Sequence, residues 1–365
     1  MEESLILFVL YKRRDFSTPL RSARNDNYLL MKFKPTKTHY IIFCAVLAVF
    51  VALIILSAWN FGDDQKIIWG VNFSKKQADN LGVNWKFVFW KMLDEYRFIK
   101  IIRMPIYWDE VEQAPGKYVF MDYTWMIEEA AKKNIGVIPV LGRRVPRWPE
   151  CHEPWFFGLK TEEEKEQLIL NFIKAEVQAL KKYPNVIRWQ VDNEPFLDVF
   201  GECPTGKDVL IEKEVALVRS LDNRPVVITE SGELSSWLKG AKLADVLGVS
   251  LYRRTWNANW GWFQYPLPPA FYYFKSKIVE FLSGVKKVIN TELQVEPWAQ
   301  DGDLTKMPLV DQRYAMDLTS VKNSLKFARR SGFDEVYLWG VEWWWWLGVE
   351  HGDWSYWEYG KTLNP

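Results

Sequence analysis

The chain has 365 residues, enough for one large barrel or two ordinary domains, and 48% of them are apolar. Its net charge of +1 at pH 7 argues against nucleic acid or another polyanion as a partner. Its 21 Trp residues exceed what packing alone requires and suggest flat aromatic platforms, which suit the apolar C–H faces of sugar rings.

The first predicted element is an apolar helix over residues 40–62. No charged residue occurs in this range, which is long enough to cross a bilayer. Residues 1–39 carry eight Lys and Arg against four acids, so the positive-inside tendency places the N-terminus in the cytoplasm and the rest outside it. A cleaved signal peptide is the alternative, although no A-x-A site follows, and Met31 is an alternative start. We therefore predict a basic cytoplasmic arm (1–39), a single-pass transmembrane signal-anchor (40–62) and an extracytoplasmic module (63–365).

Two of the three Cys residues fall in the predicted module. Cys44 lies within the apolar run and serves as an apolar filler. Cys151 and Cys203 follow the third and fourth predicted strands, so in an oxidising compartment they are a candidate disulfide pair. Two buried, unpaired thiols are the alternative.

The module alternates short β-branched or apolar runs with amphipathic stretches, which indicates repeated βα units and a parallel sheet. Residues 161–183 and 311–332 have helical spacing, and Gly332 is a typical helix C-cap. The eight predicted strands are residues 67–73, 99–108, 137–144, 186–193, 225–232, 246–253, 287–294 and 335–342. They predict the α/β class and a (β/α)8 TIM barrel preceded by one transmembrane helix. An open doubly wound sheet, the alternative, would require a Gly-rich turn after the first strand, which is absent.

Two carboxylates end predicted strands on opposite sides of the barrel mouth, where barrels of this kind form their active sites. Glu194 follows the fourth strand, and Pro195 removes a ladder donor and biases Glu194 towards extended geometry. Glu292 ends the seventh strand. A carboxylate at the end of an apolar strand must be hydrogen-bonded or it is costly. Hydrolysis of a sugar acetal requires two such carboxyl groups flanking the bond.

The order of these motifs resembles that of clan A retaining glycoside hydrolases, the four-seven barrel enzymes. DNEP at the end of strand four and TELQ at the end of strand seven resemble their acid/base and nucleophile segments. IIRMPIYW is similar to the second-strand signature of family-five cellulases and mannanases, and WDEVEQAPGKYVF resembles a segment of several β-glycosidase families in the clan. The resemblance spans about residues 67–363. Two histidines usual in family five are replaced, one by the stretch 142–144 and one by Ser250.

The resemblance implies the catalytic roles. Glu194 would be the general acid/base, with its pKa raised by apolar walls. Glu292 would be the nucleophile, kept ionised by Arg103 and oriented by the hydroxyl of Tyr252. A structural ion pair is the alternative role for Arg103.

The resemblance also implies substrate contacts. Asn193 would hydrogen-bond the 2-hydroxyl of the sugar, and Trp339 would stack under its ring, with a barrel plug as the alternative for Trp339. Glu230, on the fifth strand, is interpreted as a substrate-binding group or a support for one, and Glu296 as structural.

Most of the Trp surplus lies in two loops, residues 255–274 and 342–357. Alternation over Trp343 to Trp346 predicts an edge-like ribbon with two exposed rings. These loops are candidate sugar subsites or a surface that meets the membrane, and packing in the core is the alternative for about half of the rings.

Three functions fit these residues. The first is a membrane-anchored retaining β-glycoside hydrolase that acts on an extracytoplasmic poly- or oligosaccharide by double displacement. The others are a transglycosylase of a cell-surface glycan and a barrel that binds glycan without cleaving it. No Cys/His cluster has metal-ligand spacing, so no metal or other cofactor is expected. The expected partners are the carbohydrate and the membrane, and the chain is expected to be a monomer.

Overall fold

The computed structural model describes residues 36–62, 67–203, 208–300 and 302–363. The chain divides into two units, one ending at Ala58 and one beginning at Trp59, and each is described by itself. Most of the predicted basic arm and Asp63, the predicted start of the module, lie outside the described residues.

The first unit contains helix α1, Lys37–Ala58, which overlaps most of the predicted apolar segment. By length and hydropathy, no helix in the part of the chain that the structure describes qualifies as a membrane span. The predicted bilayer crossing by residues 40–62 is therefore not confirmed.

The second unit is a closed barrel of eight parallel strands, which confirms the predicted (β/α)8 fold. The barrel is closed because β1 (Ile68–Asn72) pairs with β2 (Ile101–Pro105) on one side and with β10 (Glu335–Trp339) on the other. Two further strands, β7 (Arg254–Asn257) and β8 (Gly261–Gln264), form an antiparallel hairpin in the loop after β6 (Val246–Leu251). The strands are β1 (Ile68–Asn72), β2 (Ile101–Pro105), β3 (Gly136–Leu141), β4 (Trp189–Val191), β5 (Val226–Glu230), β6 (Val246–Leu251), β7 (Arg254–Asn257), β8 (Gly261–Gln264), β9 (Val288–Gln294) and β10 (Glu335–Trp339).

Helices connect the barrel strands and cover the outside of the sheet. They are α2 (Lys75–Asn80), α3 (Trp85–Glu95), α4 (Trp108–Val111), α5 (Met121–Lys132), α6 (Glu162–Leu180), α7 (Asp208–Leu221), α8 (Leu238–Leu243), α9 (Pro269–Ser283), α10 (Leu309–Ala315), α11 (Leu318–Arg330), α12 (Val341–His351) and α13 (Ser355–Thr362). Two short 3-10 turns, Phe157–Leu159 and Leu304–Lys306, lie in the loops after β3 and β9.

The apolar residues form two layers, as alternation along buried strands requires. A small interior cluster includes Ile101, Ile138 and Tyr337, whereas the larger cluster lies between the strands and the helices. At Gly70 a Cβ atom would lie 2.5 Å from the ring of Tyr337, so only glycine lets this ring fill the barrel. The strands are held in register by this packing, and their carboxyl ends meet at one mouth.

Local signals explain where the helices begin and end. Thr161 and Glu164 form a capping box at the start of α6. The stretch predicted as one helix over 311–332 is two helices, because the Asp317 side chain accepts the Ser320 N–H at 2.6 Å and starts α11 anew. Gly332 follows α11 with φ of +75°, as predicted for a C-cap glycine.

The prediction of a ribbon over Trp343 to Trp346 was wrong, because this segment is helical and belongs to α12. The indole of Trp343 donates to Gln312 Oε1 at 2.7 Å, and the indole of Trp344 donates to the Val295 carbonyl at 2.9 Å. Trp343, Trp344 and Trp346 are buried. The helix lets all three rings pack in the core and gives the N–H groups of Trp343 and Trp344 acceptors, whereas the predicted ribbon would have left two rings exposed.

Cys151 and Cys203 form a disulfide, and their Cα atoms are 5.2 Å apart. This confirms the predicted pair and excludes the alternative of two free thiols. The bond joins the loop after β3 to the loop after β4, so two walls of the barrel mouth are covalently connected.

Candidate active site

The barrel mouth opens into a cavity of about 900 Å³. Five residues predicted from strand ends line it: Asn193, Glu194, Tyr252, Glu292 and Trp339. The structure therefore brings both candidate catalytic carboxylates and most of the predicted substrate contacts into one cavity.

Glu292 projects from β9 and is held through both of its carboxylate oxygens. Arg103 Nη1 donates to Oε1 at 2.6 Å, and the Tyr252 hydroxyl donates to Oε2 at 2.8 Å. Arg103 and Glu292 are both buried, so their charges are screened little by water. The carboxylate is thus fixed in position by one charged and one neutral donor.

Arg103 is itself positioned by the strands beside it. Its Nε donates to Gln190 Oε1 at 2.6 Å, and its Nη1 also donates to Asn72 Oδ1 at 2.8 Å. Sequence reasoning missed both amides. The signal was present, because Asn72 and Gln190 are polar residues inside otherwise apolar strand runs, where a buried polar group requires a partner.

Asn193 connects this network to the cavity. Its Oδ1 accepts from Arg103 Nη2 at 2.7 Å and from the Thr229 hydroxyl at 3.3 Å, and its Nδ2 donates to Glu150 Oε2 at 3.1 Å. An amide nitrogen carries two hydrogens. Because Oδ1 accepts two hydrogen bonds and one Nδ2 hydrogen is donated to Glu150, the orientation of the amide is fixed. The second Nδ2 hydrogen can be donated to a ligand in the cavity.

Glu194 lies beyond the end of β4, and its backbone is in the left-handed region with φ of +44°. The expectation of extended geometry before Pro195 was therefore wrong. The reason is tertiary: the Glu194 N–H donates to the Thr229 hydroxyl at 2.9 Å, and this contact holds a turn that places the carboxyl in the cavity.

The surroundings of Glu194 favour its protonated form. Burial is the main cause that raises the pKa of Glu194 well above its usual range, and the charges of Glu292 and Glu150 raise it further. Glu292 and Glu194 are therefore in unlike environments: Glu292 lies beside an arginine, whereas Glu194 is buried near two other acids. Such a difference separates a nucleophile from a general acid.

Glu150 is a third cavity carboxyl, which sequence reasoning missed. Burial raises its pKa to about 7, although Arg144 and Asn193 oppose the shift. Besides Asn193, its partner is Arg144, whose Nε lies 3.5 Å from Glu150 Oε2. The residue lies in an irregular loop, where no periodicity marks it, and its position beside Cys151 was the only available signal.

A buried charge cluster borders Trp339. The Arg147 guanidinium lies 4.1 Å from the centroid of the Trp339 ring and forms ion pairs with Glu296 and Glu342. Glu296, interpreted from sequence as structural, therefore both pairs with an arginine and lines the cavity. Because Arg147 covers one face of Trp339, a sugar ring could stack only on the other face.

Glu230 does not reach the cavity. It is buried at the end of β5, and its Oε1 accepts from the Gly240 N–H of α8 at 2.8 Å. The nearby Glu233 lines the cavity instead. Glu233 accepts from the Tyr252 N–H at 3.1 Å and from the Tyr272 hydroxyl at 2.6 Å, and burial raises its pKa to about 7.

Two other residues considered from sequence, His152 in a loop and Ser250 in β6, lie in different environments. His152 is buried between Lys76 Nζ and the Arg147 carbonyl, each at 3.1 Å, and burial with the Lys76 charge lowers its pKa to about 4. Ser250, where family five usually has a histidine, lines the cavity. Within the described ranges, no group of His, Cys, Asp and Glu side chains is arranged to hold a metal ion.

Aromatic side chains surround the outer cavity, as the Trp surplus suggested. The predicted aromatic loop after β6 forms the β7–β8 hairpin, and its Trp256 and Trp260 line the cavity. Trp148, Phe200 and Trp298, from the loops after β3, β4 and β9, line it as well.

Comparison by sequence finds no family model and no curated protein that matches this chain. Comparison of structures finds GH5_18 from Bifidobacterium longum subsp. longum, at 11% identity and a TM-score of 0.53, covering 75% of this chain and 69% of that one. A family 10 endo-β-1,4-xylanase from Gloeophyllum trabeum is also similar, at 15% identity and a TM-score of 0.49, with 76% of this chain and 85% of that chain covered. A β-glucosidase from Thermotoga maritima has 12% identity and a TM-score of 0.48, with 77% of this chain and 89% of that chain covered. The likeness to GH5_18 confirms the resemblance to glycoside-hydrolase barrels at the level of the fold.

Proposed function

We propose that the barrel is a retaining β-glycoside hydrolase. The observation that carries this proposal is the Glu292 carboxylate, held by Arg103 at 2.6 Å and Tyr252 at 2.8 Å in a cavity that it shares with Glu194. Retaining hydrolysis requires one ionised and one protonated carboxyl group on either side of the glycosidic bond.

In the first step, the Glu292 carboxylate attacks the anomeric carbon while Glu194 gives its proton to the departing glycosidic oxygen. The glycosidic C–O bond breaks, and an ester bond between Glu292 and the sugar forms. Burial raises the pKa of Glu194 well above the usual range of a carboxyl group. Glu194 therefore keeps its proton at a pH where an exposed carboxyl group is ionised, and it can act as an acid there.

In the second step, Glu194, now ionised, takes a proton from water, and the water oxygen attacks the anomeric carbon. The ester bond breaks, Glu292 is released as a carboxylate, and the product keeps the β configuration. The free Nδ2 hydrogen of Asn193 would bond the 2-hydroxyl of the sugar, a contact that strengthens as positive charge develops on the ring.

The cavity lining supports a neutral glycan as the substrate. Its described lining contains one Arg, which is paired with Glu296, and no Lys, so the cavity offers no free positive charge to a polyanionic chain. Aromatic rings on several loops offer flat apolar surfaces of the kind that sugar faces contact.

A membrane tether is a separate part of the proposal and rests on the sequence alone. Residues 40–62 carry no charge and follow a basic segment, which supports a single-pass anchor with the N-terminus in the cytoplasm and a monomeric barrel outside. Protease treatment of intact cells should release the barrel as a fragment that begins near residue 63. Recovery of the barrel only from the cytosol would contradict the tether.

The experiment that tests the hydrolase is anion rescue of Glu194→Ala on an aryl β-glycoside, with Glu202→Ala as the control. Glu202 is an exposed carboxylate of the same cavity. An activated leaving group needs no proton, so the first step should persist in Glu194→Ala and the second should stall. Azide should then restore turnover and give a β-glycosyl azide, whereas the control should behave as wild type. An α-azide, or no response to azide, would contradict the roles of the two carboxyl groups.

A further inference from the structure

We propose that three aromatic side chains, Trp298, Phe200 and Trp148, form a binding site for the sugar units of a β-glycan that extend beyond the cleavage point. We call these three residues the aromatic wall. The proposal rests on the proposed hydrolase function and adds its substrate class, an extended chain rather than a short glycoside.

The aromatic wall is continuous with the catalytic centre. The ring of Tyr252, whose hydroxyl bonds Glu292, lies 5.4 Å from the ring of Trp298. Trp298 lies 5.2 Å from Phe200, and Phe200 lies 5.7 Å from Trp148. A row of contacting rings therefore runs from the candidate nucleophile to Trp148, which is 42% exposed. All of these residues line the same cavity.

Trp148 is partly exposed, but contacts from two other loops fix the position of its indole. A Cβ atom at Gly302 would lie 3.0 Å from Trp148 Cγ, so the backbone of the loop after β9 supports the indole directly. Phe200 contacts the indole from the loop after β4. An exposed indole that two other loops hold in place is a preorganised platform, and binding to it requires little ordering of side chains.

The two loops that carry Trp148 and Phe200 are fastened to each other. The Cys151–Cys203 disulfide joins them, and the Glu202 N–H donates to the Pro149 carbonyl at 3.0 Å. Arg144 adds a further link, since its Nη2 donates to the Phe200 carbonyl at 2.9 Å. These cross-links fix the two loops relative to each other and so fix the surface around the exposed Trp148. A flexible sugar chain can contact such a surface through its C–H faces.

The test compares Trp148→Ala with Trp90→Ala. Trp90, on α3, is 44% exposed and lies away from the cavity lining, so it matches Trp148 in size and exposure. For each protein, kcat/KM is measured on an aryl β-glycoside and on di- to hexasaccharides of whichever of β-glucan, β-mannan, xylan or galactan the wild type cleaves. The readout is the ratio of kcat/KM for the hexasaccharide to that for the aryl glycoside.

We expect this ratio to fall about three- to tenfold in Trp148→Ala, the effect of losing one aromatic contact. It should fall less in Trp148→Phe, which keeps a ring, and remain at the wild-type value in Trp90→Ala. An unchanged ratio in Trp148→Ala, with the aryl glycoside still cleaved, would overturn the binding site and leave the hydrolase function standing. If the wild type cleaves neither an aryl glycoside nor any of the four polymers, both proposals fail.

Discussion

Replacement of Tyr252 by Phe tests how the structure holds the candidate nucleophile. The hydroxyl of Tyr252 donates to Glu292 Oε2 at 2.8 Å, and Tyr252→Phe keeps the ring while it removes this single hydrogen bond. A hydrogen bond to a charged group contributes about 1.5–3 kcal/mol, which corresponds to a loss of about 10- to 150-fold in rate. The loss should appear in kcat/KM for an aryl glycoside, because the first step requires a correctly placed carboxylate.

The matched control is Tyr265→Phe. Tyr265 lines the same cavity and lies near the β7–β8 hairpin, but no contact joins it to Glu292. Its variant should retain nearly wild-type kcat/KM, and thermal unfolding should show that both variants fold. A loss of less than about threefold in Tyr252→Phe would show that this hydrogen bond does not position the carboxylate of Glu292.

Three further predictions follow from buried groups. Arg103→Met should lower the free energy of unfolding by about 3–5 kcal/mol in urea titrations, because it leaves Glu292 buried without its ion pair; an unchanged midpoint would contradict this. Glu150→Leu, which removes the acceptor of Asn193, should lower kcat on a 2-hydroxy glycoside but not on its 2-deoxy analogue, and Glu150→Gln should retain most of the activity; equal losses on both substrates would indicate a general disturbance. Burial, followed by the charge of Asp192, raises the pKa of Glu214 well above its usual range, so the native state binds the extra proton and stability falls as pH rises from the unfolded pKa to the folded one. In urea titrations, Glu214→Gln should therefore be stabilised relative to the wild type more at pH 8 than at pH 4, and an equal difference in the free energy of unfolding at both pH values would contradict this.

The barrel could be predicted from sequence because each of its strands is a short apolar run with a clear boundary. The two catalytic candidates could be predicted for a related reason, since Glu194 and Glu292 are acids at the ends of such runs. Glu230 also ends an apolar strand, but its side chain lies outside the cavity. It ends β5 with its side chain towards α8, and the sequence does not show that the next turn brings Glu233 to the cavity.

The loop residues could not be predicted, because their placement depends on contacts distant in sequence. Arg147 is held at the cavity by ion pairs with Glu296, from the loop after β9, and with Glu342, from α12. Similarly, the indole N–H of Trp344 in α12 donates to the carbonyl of Val295, 49 residues earlier in the chain. Such partners leave no periodic pattern around the residue itself, so local reasoning identifies the residue type without its role.

Identification of the residue that becomes covalently attached to the sugar tests the role of Glu292 directly. A 2-deoxy-2-fluoro β-glycoside with a good leaving group slows both steps and allows the intermediate to accumulate. Incubation with the full-length protein, followed by peptide mass spectrometry, should place one sugar on Glu292, and Glu292→Ala should remain unlabelled. A label on Glu194 or Glu150, or turnover of the aryl glycoside with inversion and no labelled peptide, would contradict the assignment of Glu292 as the nucleophile of a retaining enzyme.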